Sequence, residues 1–139
     1  MGTLLLLIAK RVNFGKNMIT VAVDFDGTIV EHDYPRIGEE APLAISVLKE
    51  LNEKGHDIIL YTMRSGEHLQ EAVDWLKERG VELYGVNENP RQKDWTDSPK
   101  PYADVYIDDS ALGCPVVVTK NFRYVVDWKK VREDLSIVL

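Results

Sequence analysis

Acidic residues stand in two closely spaced pairs, and each pair follows an apolar run. Asp24 and Asp26 come at the end of one run, and Asp108 and Asp109 come directly after another. A single aspartate after a strand is commonly a turn residue or a helix cap. Two such pairs brought together in a low-dielectric cleft repel one another unless a cation offsets the repulsion. Carboxylate oxygens suit a hard cation, so we expect Mg²⁺ at this cluster.

Three further residues stand where they can act on the same ligand. Thr62 follows the apolar run Ile58–Tyr61, and Lys100 stands just before the run that ends at Asp108. Lys93 lies in the same polar loop and competes with Lys100 for the same role. Ligands of open parallel sheets bind at the carboxyl ends of the strands, so we expect these residues and the acidic pairs at one edge.

The elements that must position these residues alternate along the chain. Predicted strands cover residues 19–25, 56–62, 81–86, 102–107 and 116–118. Predicted helices begin near Pro42 and Ser65, and a last one covers 127–135. This alternation predicts an α/β fold, a three-layer doubly wound parallel sheet of the Rossmann-like kind. Residues 28–38, which contain a proline and a glycine, read as a short flap.

The chain length of 139 residues predicts one domain with one core. We expect this domain to span residues 18–139, with residues 1–17 as an extension that is either weakly packed or an added edge strand or helix. Its apolar run Leu4–Ala9 is far shorter than the roughly 20 residues that span a bilayer. Positive charge follows this run instead of preceding it, unlike a secretory signal. We therefore expect no association with a membrane.

The net charge and the cysteine content bear on two questions, whether the protein binds nucleic acid and whether its compartment is reducing. The net charge of -6 argues weakly against broad nucleic-acid binding, which usually needs a basic surface. Cys114 is the single cysteine, so no internal disulfide forms, which suits a reducing cytoplasm.

The acidic pairs also carry a family resemblance. The sequence Asp24–Thr28, D-F-D-G-T, resembles the D-x-D-G-T signature of haloacid dehalogenase-like hydrolases. Thr62 resembles the second motif of that superfamily, Lys100 its third, and Asp108-Asp109 its fourth. The resemblance extends from the first predicted strand to the end of the chain.

The resemblance implies a role for each acidic residue. Asp24 is the expected nucleophile, which forms an aspartyl-phosphate. Asp26 is the expected general acid and base. The Mg²⁺ ion is expected to bind the Asp24 carboxylate, the Asp26 backbone carbonyl and Asp108, with Asp109 acting directly or through water.

The remaining motif residues are expected to bind substrate. Thr62 would hydrogen-bond a phosphate oxygen, and Lys100 would neutralise charge around the phosphoryl group. Gly27 would let the backbone come close to the site. Arg64, two residues after Thr62, is either a residue that grips substrate or a solvated residue at a helix start.

These roles predict a magnesium-dependent phosphomonoester hydrolase, a phosphatase. Neither interval between the motifs has room for a cap domain, so the chain resembles the capless type, whose cleft is open or covered by another subunit of a homo-oligomer. The substrate classes left open are sugar phosphates, nucleotides, a phosphorylated nucleic-acid end and a phosphoprotein. Two other readings are a catalytically silent binding domain on the same fold and a receiver-type phosphoacceptor module. The order of motifs disfavours the receiver, whose lysine comes last.

Overall fold

Four short parallel strands form the central sheet of residues 18–139, the part of the chain that the computed structural model describes. They are β1 (Thr20–Val23), β2 (Asp57–Leu60), β3 (Gly85–Val86) and β4 (Val105–Ile107), in the spatial order β3-β2-β1-β4. The expected α/β fold with a parallel sheet and no cap domain is confirmed. The predicted extension, residues 1–17, lies outside the described residues.

Strand register decides which residues meet at the carboxyl edge. Val23 pairs with Leu60 on one side and with Ile107 on the other. The residues that follow β1, β2 and β4 therefore emerge side by side. This register brings Asp24 next to the acidic pair that follows β4.

Three α-helices cover one face of the sheet. They are α1 (Ala44–Glu53), α2 (Gly66–Glu78) and α3 (Trp128–Asp134). Alternate residues of β1, Val21 and Val23, are fully buried in the same cluster as the apolar side chains of all three helices. Ser65 takes the N-cap position of α2, as predicted, but its side chain makes no capping hydrogen bond.

The other face of the sheet is covered by a loop. Ala22 and Ile59 pack there against Ala103, with Tyr84 and Tyr106 alongside. The segment 87–103 contains one short 3-10 helix, Gln92–Asp94. The third layer of the fold is therefore this polar, proline-containing segment, because its three prolines interrupt the backbone hydrogen bonding that a long helix needs.

A separate hairpin follows the main sheet. Strand β5 (Val116–Val118) occurs where it was predicted, and it pairs antiparallel with β6 (Tyr124–Val126), which was not predicted. A hydrogen bond from Thr119 N to Arg123 O closes the turn at 2.8 Å. The hairpin docks on the flap, where the Asn121 side chain donates to the buried Glu31 carboxylate.

No helix in residues 18–139 is long and apolar enough to cross a membrane, and the longest has 13 residues.

Candidate functional site

Three carboxylates meet at the carboxyl edge of the sheet. Asp24 follows β1, and Asp108 and Asp109 follow β4. One carboxylate oxygen from each residue lies within 4.8 Å of the other two. All three side chains are partly buried, which limits the screening of their charges by water. Oxygen ligands at this spacing can hold a metal ion.

Thr28 connects two members of the three-carboxylate cluster, Asp24 and Asp109. Its side chain is fully buried, and its hydroxyl oxygen lies 2.9 Å from Asp24 Oδ2 and 3.2 Å from Asp109 Oδ1. The Asp109 amide in turn donates to the Thr28 hydroxyl oxygen at 3.1 Å. Trp128 Nε1 donates to the Thr28 carbonyl oxygen at 2.8 Å, which links α3 to the site. No role was predicted for Thr28, although it is the last residue of the D-x-D-G-T signature.

Gly27 leaves space for Asp109. Its φ of +82° lies in the left-handed region, which favours glycine. A Cβ atom at this position would stand 2.5 Å from Asp109 Oδ2. Any side chain here would therefore push the Asp109 carboxylate out of the cluster. The role predicted for Gly27 in substrate binding stays a prediction.

Burial raises the pKa of Asp24 to about 7, and the nearby charge of Asp108 acts in the same direction. The hydrogen bond from Thr28 acts in the opposite direction and favours the ionised form. The ionised form of Asp24 is therefore disfavoured in the metal-free protein, and a bound cation would offset that cost. This electrostatic cost fits the proposal that the cluster holds a metal ion.

Asp26 turns away from this cluster towards Arg64. Arg64 Nε donates to Asp26 Oδ2, and Nη2 donates to Asp26 Oδ1, each at 2.8 Å. The arginine side chain is almost completely buried, with a relative exposure of 1%, against 13% for Asp26. Of the two readings left open for Arg64, the solvated position at a helix start does not occur.

Thr62 presents its hydroxyl at the mouth of the cleft. Its oxygen accepts a hydrogen bond from the Arg64 amide at 3.1 Å, so its proton is oriented elsewhere and can be donated. The Thr62 amide donates to Asn87 Oδ1 at 2.8 Å. Asn87 thus orients the loop after β2, a role that no motif in the sequence indicated.

Lys100 lies apart from the carboxylates. Its ammonium nitrogen stands 5.2 Å from the centroid of the Tyr106 ring. Of the described residues, neither Lys100 nor Lys93 is among those that line the cleft. Lys100 is exposed, and its four-carbon side chain is flexible. A different rotamer would place its ammonium group elsewhere. The choice between the two lysines stays a prediction.

The three-carboxylate cluster opens into a cleft of about 590 Å³. The cleft is lined by Asp24, Asp26, His32, Tyr34, Thr62, Met63, Arg64, Asp108, Asp109 and Ser110. His32 and Tyr34 belong to the flap, and Met63 projects at the rim with a relative exposure of 98%. The site is therefore open to solvent and is bordered by exposed side chains.

The class follows from the fold and the site: residues 18–139 form a parallel α/β domain, contain no cap domain, and carry a candidate metal site at the carboxyl edge of the sheet. No protein-family model matches the chain, and no curated protein does either. A solved structure does match, that of a conserved protein from Bacteroides thetaiotaomicron. The two chains are 42% identical and superpose with a TM-score of 0.73, over 86% of this chain and 91% of the other. This chain belongs to the same family as that conserved bacterial protein.

Proposed function

We propose that this chain is a Mg²⁺-dependent phosphomonoester hydrolase of the haloacid dehalogenase-like superfamily, of the capless type. The observation that carries the proposal is the cluster of Asp24, Asp108 and Asp109 within 4.8 Å at the carboxyl edge of the sheet. Within the D-F-D-G-T sequence, the first aspartate lies in this cluster and the second lies beside it in the same cleft.

Asp24 is the proposed nucleophile. Its carboxylate oxygen attacks phosphorus, the bond between phosphorus and the leaving oxygen breaks, and an aspartyl-phosphate forms. Thr28 holds one carboxylate oxygen of Asp24 through a hydrogen bond of 2.9 Å, which orients the other oxygen. Attack of water on the intermediate then releases inorganic phosphate and regenerates Asp24. Two easier steps thus replace one difficult step.

Asp26 is the proposed general acid and base. It gives a proton to the leaving oxygen in the first step and takes a proton from the attacking water in the second. Its two oxygens accept one hydrogen bond each from Arg64, but a carboxylate has about four lone-pair positions, so about two are left for the transferred proton and for the substrate. An acid at this position favours phosphate esters over halides, which leave without a proton.

The donor set fits Mg²⁺. The ion prefers carboxylate and carbonyl oxygens, and three carboxylates from two strand ends supply them here. Asp24, Asp108 and Asp109 would hold the ion, with the Asp26 backbone carbonyl as a further proposed ligand. When bound, the ion supplies positive charge that lets an anionic carboxylate approach an anionic phosphate.

Two polar residues are proposed to bind the transferred phosphoryl group. Thr62 has a hydroxyl proton available, as described above, and would donate it to a phosphate oxygen. Lys100 would bring its ammonium towards the same group from the rim of the sheet. Substrate entry requires no movement of a cap.

The experiment that tests this function follows a phosphoryl group onto Asp24. The protein is incubated with Mg²⁺ and 4-nitrophenyl phosphate, quenched in acid, digested and analysed by mass spectrometry. We expect one added phosphoryl group on the peptide that contains Asp24, and no turnover by Asp24→Asn. Asp97→Asn, an exposed change in the 87–103 loop, is the matched control and keeps full activity. Turnover by Asp24→Asn at a substantial fraction of the wild-type rate, with deamidation excluded, would contradict the covalent mechanism.

A further inference from the structure

Arg64 has no free donor. Its guanidinium carries five N–H groups, and five hydrogen bonds are present: two to Asp26, two to the flap and one to α2. The acceptors are Asp26 Oδ1 and Oδ2, Pro35 O, Arg36 O and His68 O, at distances from 2.8 to 3.3 Å. An arginine whose donors are all taken by the protein has none left for a phosphate oxygen.

The five acceptors of Arg64 belong to three separate segments of the chain. Asp26 follows β1, the carbonyls of Pro35 and Arg36 belong to the flap, and His68 lies in the first turn of α2. Hydrogen bonds from this one side chain therefore connect all three segments.

Two aromatic rings lie close to the Arg64 guanidinium. Its central carbon lies 5.2 Å from the ring centroid of Phe25 and 5.2 Å from that of Tyr34. Phe25 is fully buried, and Tyr34 is the flap residue that also lines the cleft. Rings at this distance attract a cation, and they shield its bond to Asp26 from water.

We propose that Arg64 is a positioning residue that holds the Asp26 carboxylate and the flap in one arrangement, and that it acts on the substrate only through them. The effect of Arg64 on catalysis rests on the proposed phosphatase function, whereas its effect on the flap does not. When the phosphorus–oxygen bond breaks, the electron pair goes to the leaving oxygen, which takes the proton of Asp26. Arg64 keeps its own protons throughout and fixes the plane of the carboxylate from which that proton departs.

Lysine is the informative replacement for Arg64. It keeps the positive charge, but it has three donors on one atom and cannot form the parallel pair of bonds to a carboxylate. Arg64→Lys therefore removes the alignment while leaving the charge. Arg79→Lys is the matched control, since Arg79 lies at the exposed far end of α2, stacked on Trp75.

The first readout needs no enzymatic activity. Hydrogen exchange of the flap amides between residues 31 and 38 is compared in wild type, Arg64→Lys, Asp26→Asn and Arg79→Lys. We expect faster exchange in the first two variants, because each one breaks the bridge between Asp26 and the flap, and wild-type exchange in the control. Unchanged exchange in both site variants overturns the proposal even if the protein has no phosphatase activity. If Arg64→Lys does not fold, Asp26→Asn decides this comparison.

The second readout separates positioning from substrate binding. Turnover is measured on 4-nitrophenyl phosphate, whose leaving group needs little help from an acid, and on an alkyl phosphate, whose leaving group needs a proton. General acid catalysis is worth about 10²–10⁴-fold, so we expect Arg64→Lys to lower kcat at least tenfold more on the alkyl ester, with little change in KM. In the Asp26→Asn background the same substitution should add almost nothing. A raised KM with unchanged kcat, equal losses on both esters, or additive losses would each overturn the proposal.

Discussion

The hydroxyl of Thr28 and the carboxylate of Asp24 form a hydrogen bond of 2.9 Å at the base of the three-carboxylate cluster. Thr28 is fully buried, so this bond is protected from competing water. The same hydroxyl oxygen accepts from the Asp109 amide, which joins the ends of β1 and β4. One side chain thus sets the distance between two of the proposed metal ligands.

Replacing Thr28 by valine should weaken both the fold and metal binding. Valine has nearly the same shape but leaves Asp24 and the Asp109 amide without their partner, which costs about 1–3 kcal/mol of unfolding free energy. Without its hydrogen bond Asp24 is also harder to ionise, so Mg²⁺ should bind less tightly. Chemical denaturation and calorimetric titration with Mg²⁺ measure the two effects. Thr28→Ser keeps the hydroxyl and should preserve metal binding; equal behaviour of the two variants would contradict this role.

Gly27→Ala should be much more damaging than the same change at Gly113. Both glycines have positive φ, +82° and +88°, so alanine pays a backbone cost of roughly 1–2 kcal/mol at either position. Only at Gly27 does the new Cβ meet another group, Asp109 Oδ2 at 2.5 Å, whereas nothing lies within 4 Å of it at Gly113. We expect Gly27→Ala to lose Mg²⁺-dependent stabilisation and Gly113→Ala to keep it. Thermal melts with and without Mg²⁺ provide the comparison.

Mg²⁺ should raise the melting temperature, and EDTA should stop turnover in a way that added Mg²⁺ reverses. A ligand present at one hundred times its dissociation constant stabilises the folded state by about 2.7 kcal/mol. Asp108→Ala removes a proposed ligand and should abolish the rise in melting temperature. Thr62→Ala removes a proposed phosphate contact and should retain that rise while slowing turnover. Normal turnover by fully demetallated protein would require another explanation for the cluster.

The contribution of Asp24 to the stability of the metal-free protein should fall as the pH rises from about 4 to about 7. In the folded protein the pKa of Asp24 is raised from 3.8 to about 7, so within this window the folded state binds more protons than the unfolded state. Stability decreases with pH wherever that is so. Melting temperatures in EDTA across this range, compared between wild type and Asp24→Asn, isolate the contribution of this group. Curves that run parallel for the two proteins would refute the assignment.

The open cleft leads to a prediction about substrate size. Met63 and Tyr34 stand exposed at its rim, and within residues 18–139 no domain covers them. We expect either a homo-oligomer that closes the site or a preference for large phosphorylated substrates. Molecular mass in solution, measured alongside kcat/KM for small and large esters, distinguishes these cases. A strict monomer with a kcat/KM of about 10⁶ M⁻¹s⁻¹ on a small metabolite, within the usual enzyme range, would contradict both expectations, the homo-oligomer and the large substrate.

The sequence alone was sufficient to predict the parallel sheet and the proximity of Asp24 to Asp108 and Asp109. The reason is local: β-branched apolar runs form buried strands, and the residue after each strand must emerge at the same edge. The hairpin β5–β6 was only half predicted. Strand β6 has only three residues, and its Val126 amide donates to the carbonyl of Gly27, which lies far away in the chain.

Tertiary structure alone decided how Arg64 and Thr28 are used. Sequence placed Arg64 near a helix start, where an arginine is ordinarily solvated, but the flap folds over it and supplies two carbonyl acceptors. Thr28 contacts Asp109 across 81 positions of sequence. The direction of a side chain depends on which distant groups surround it, and no spacing along the chain carries that information.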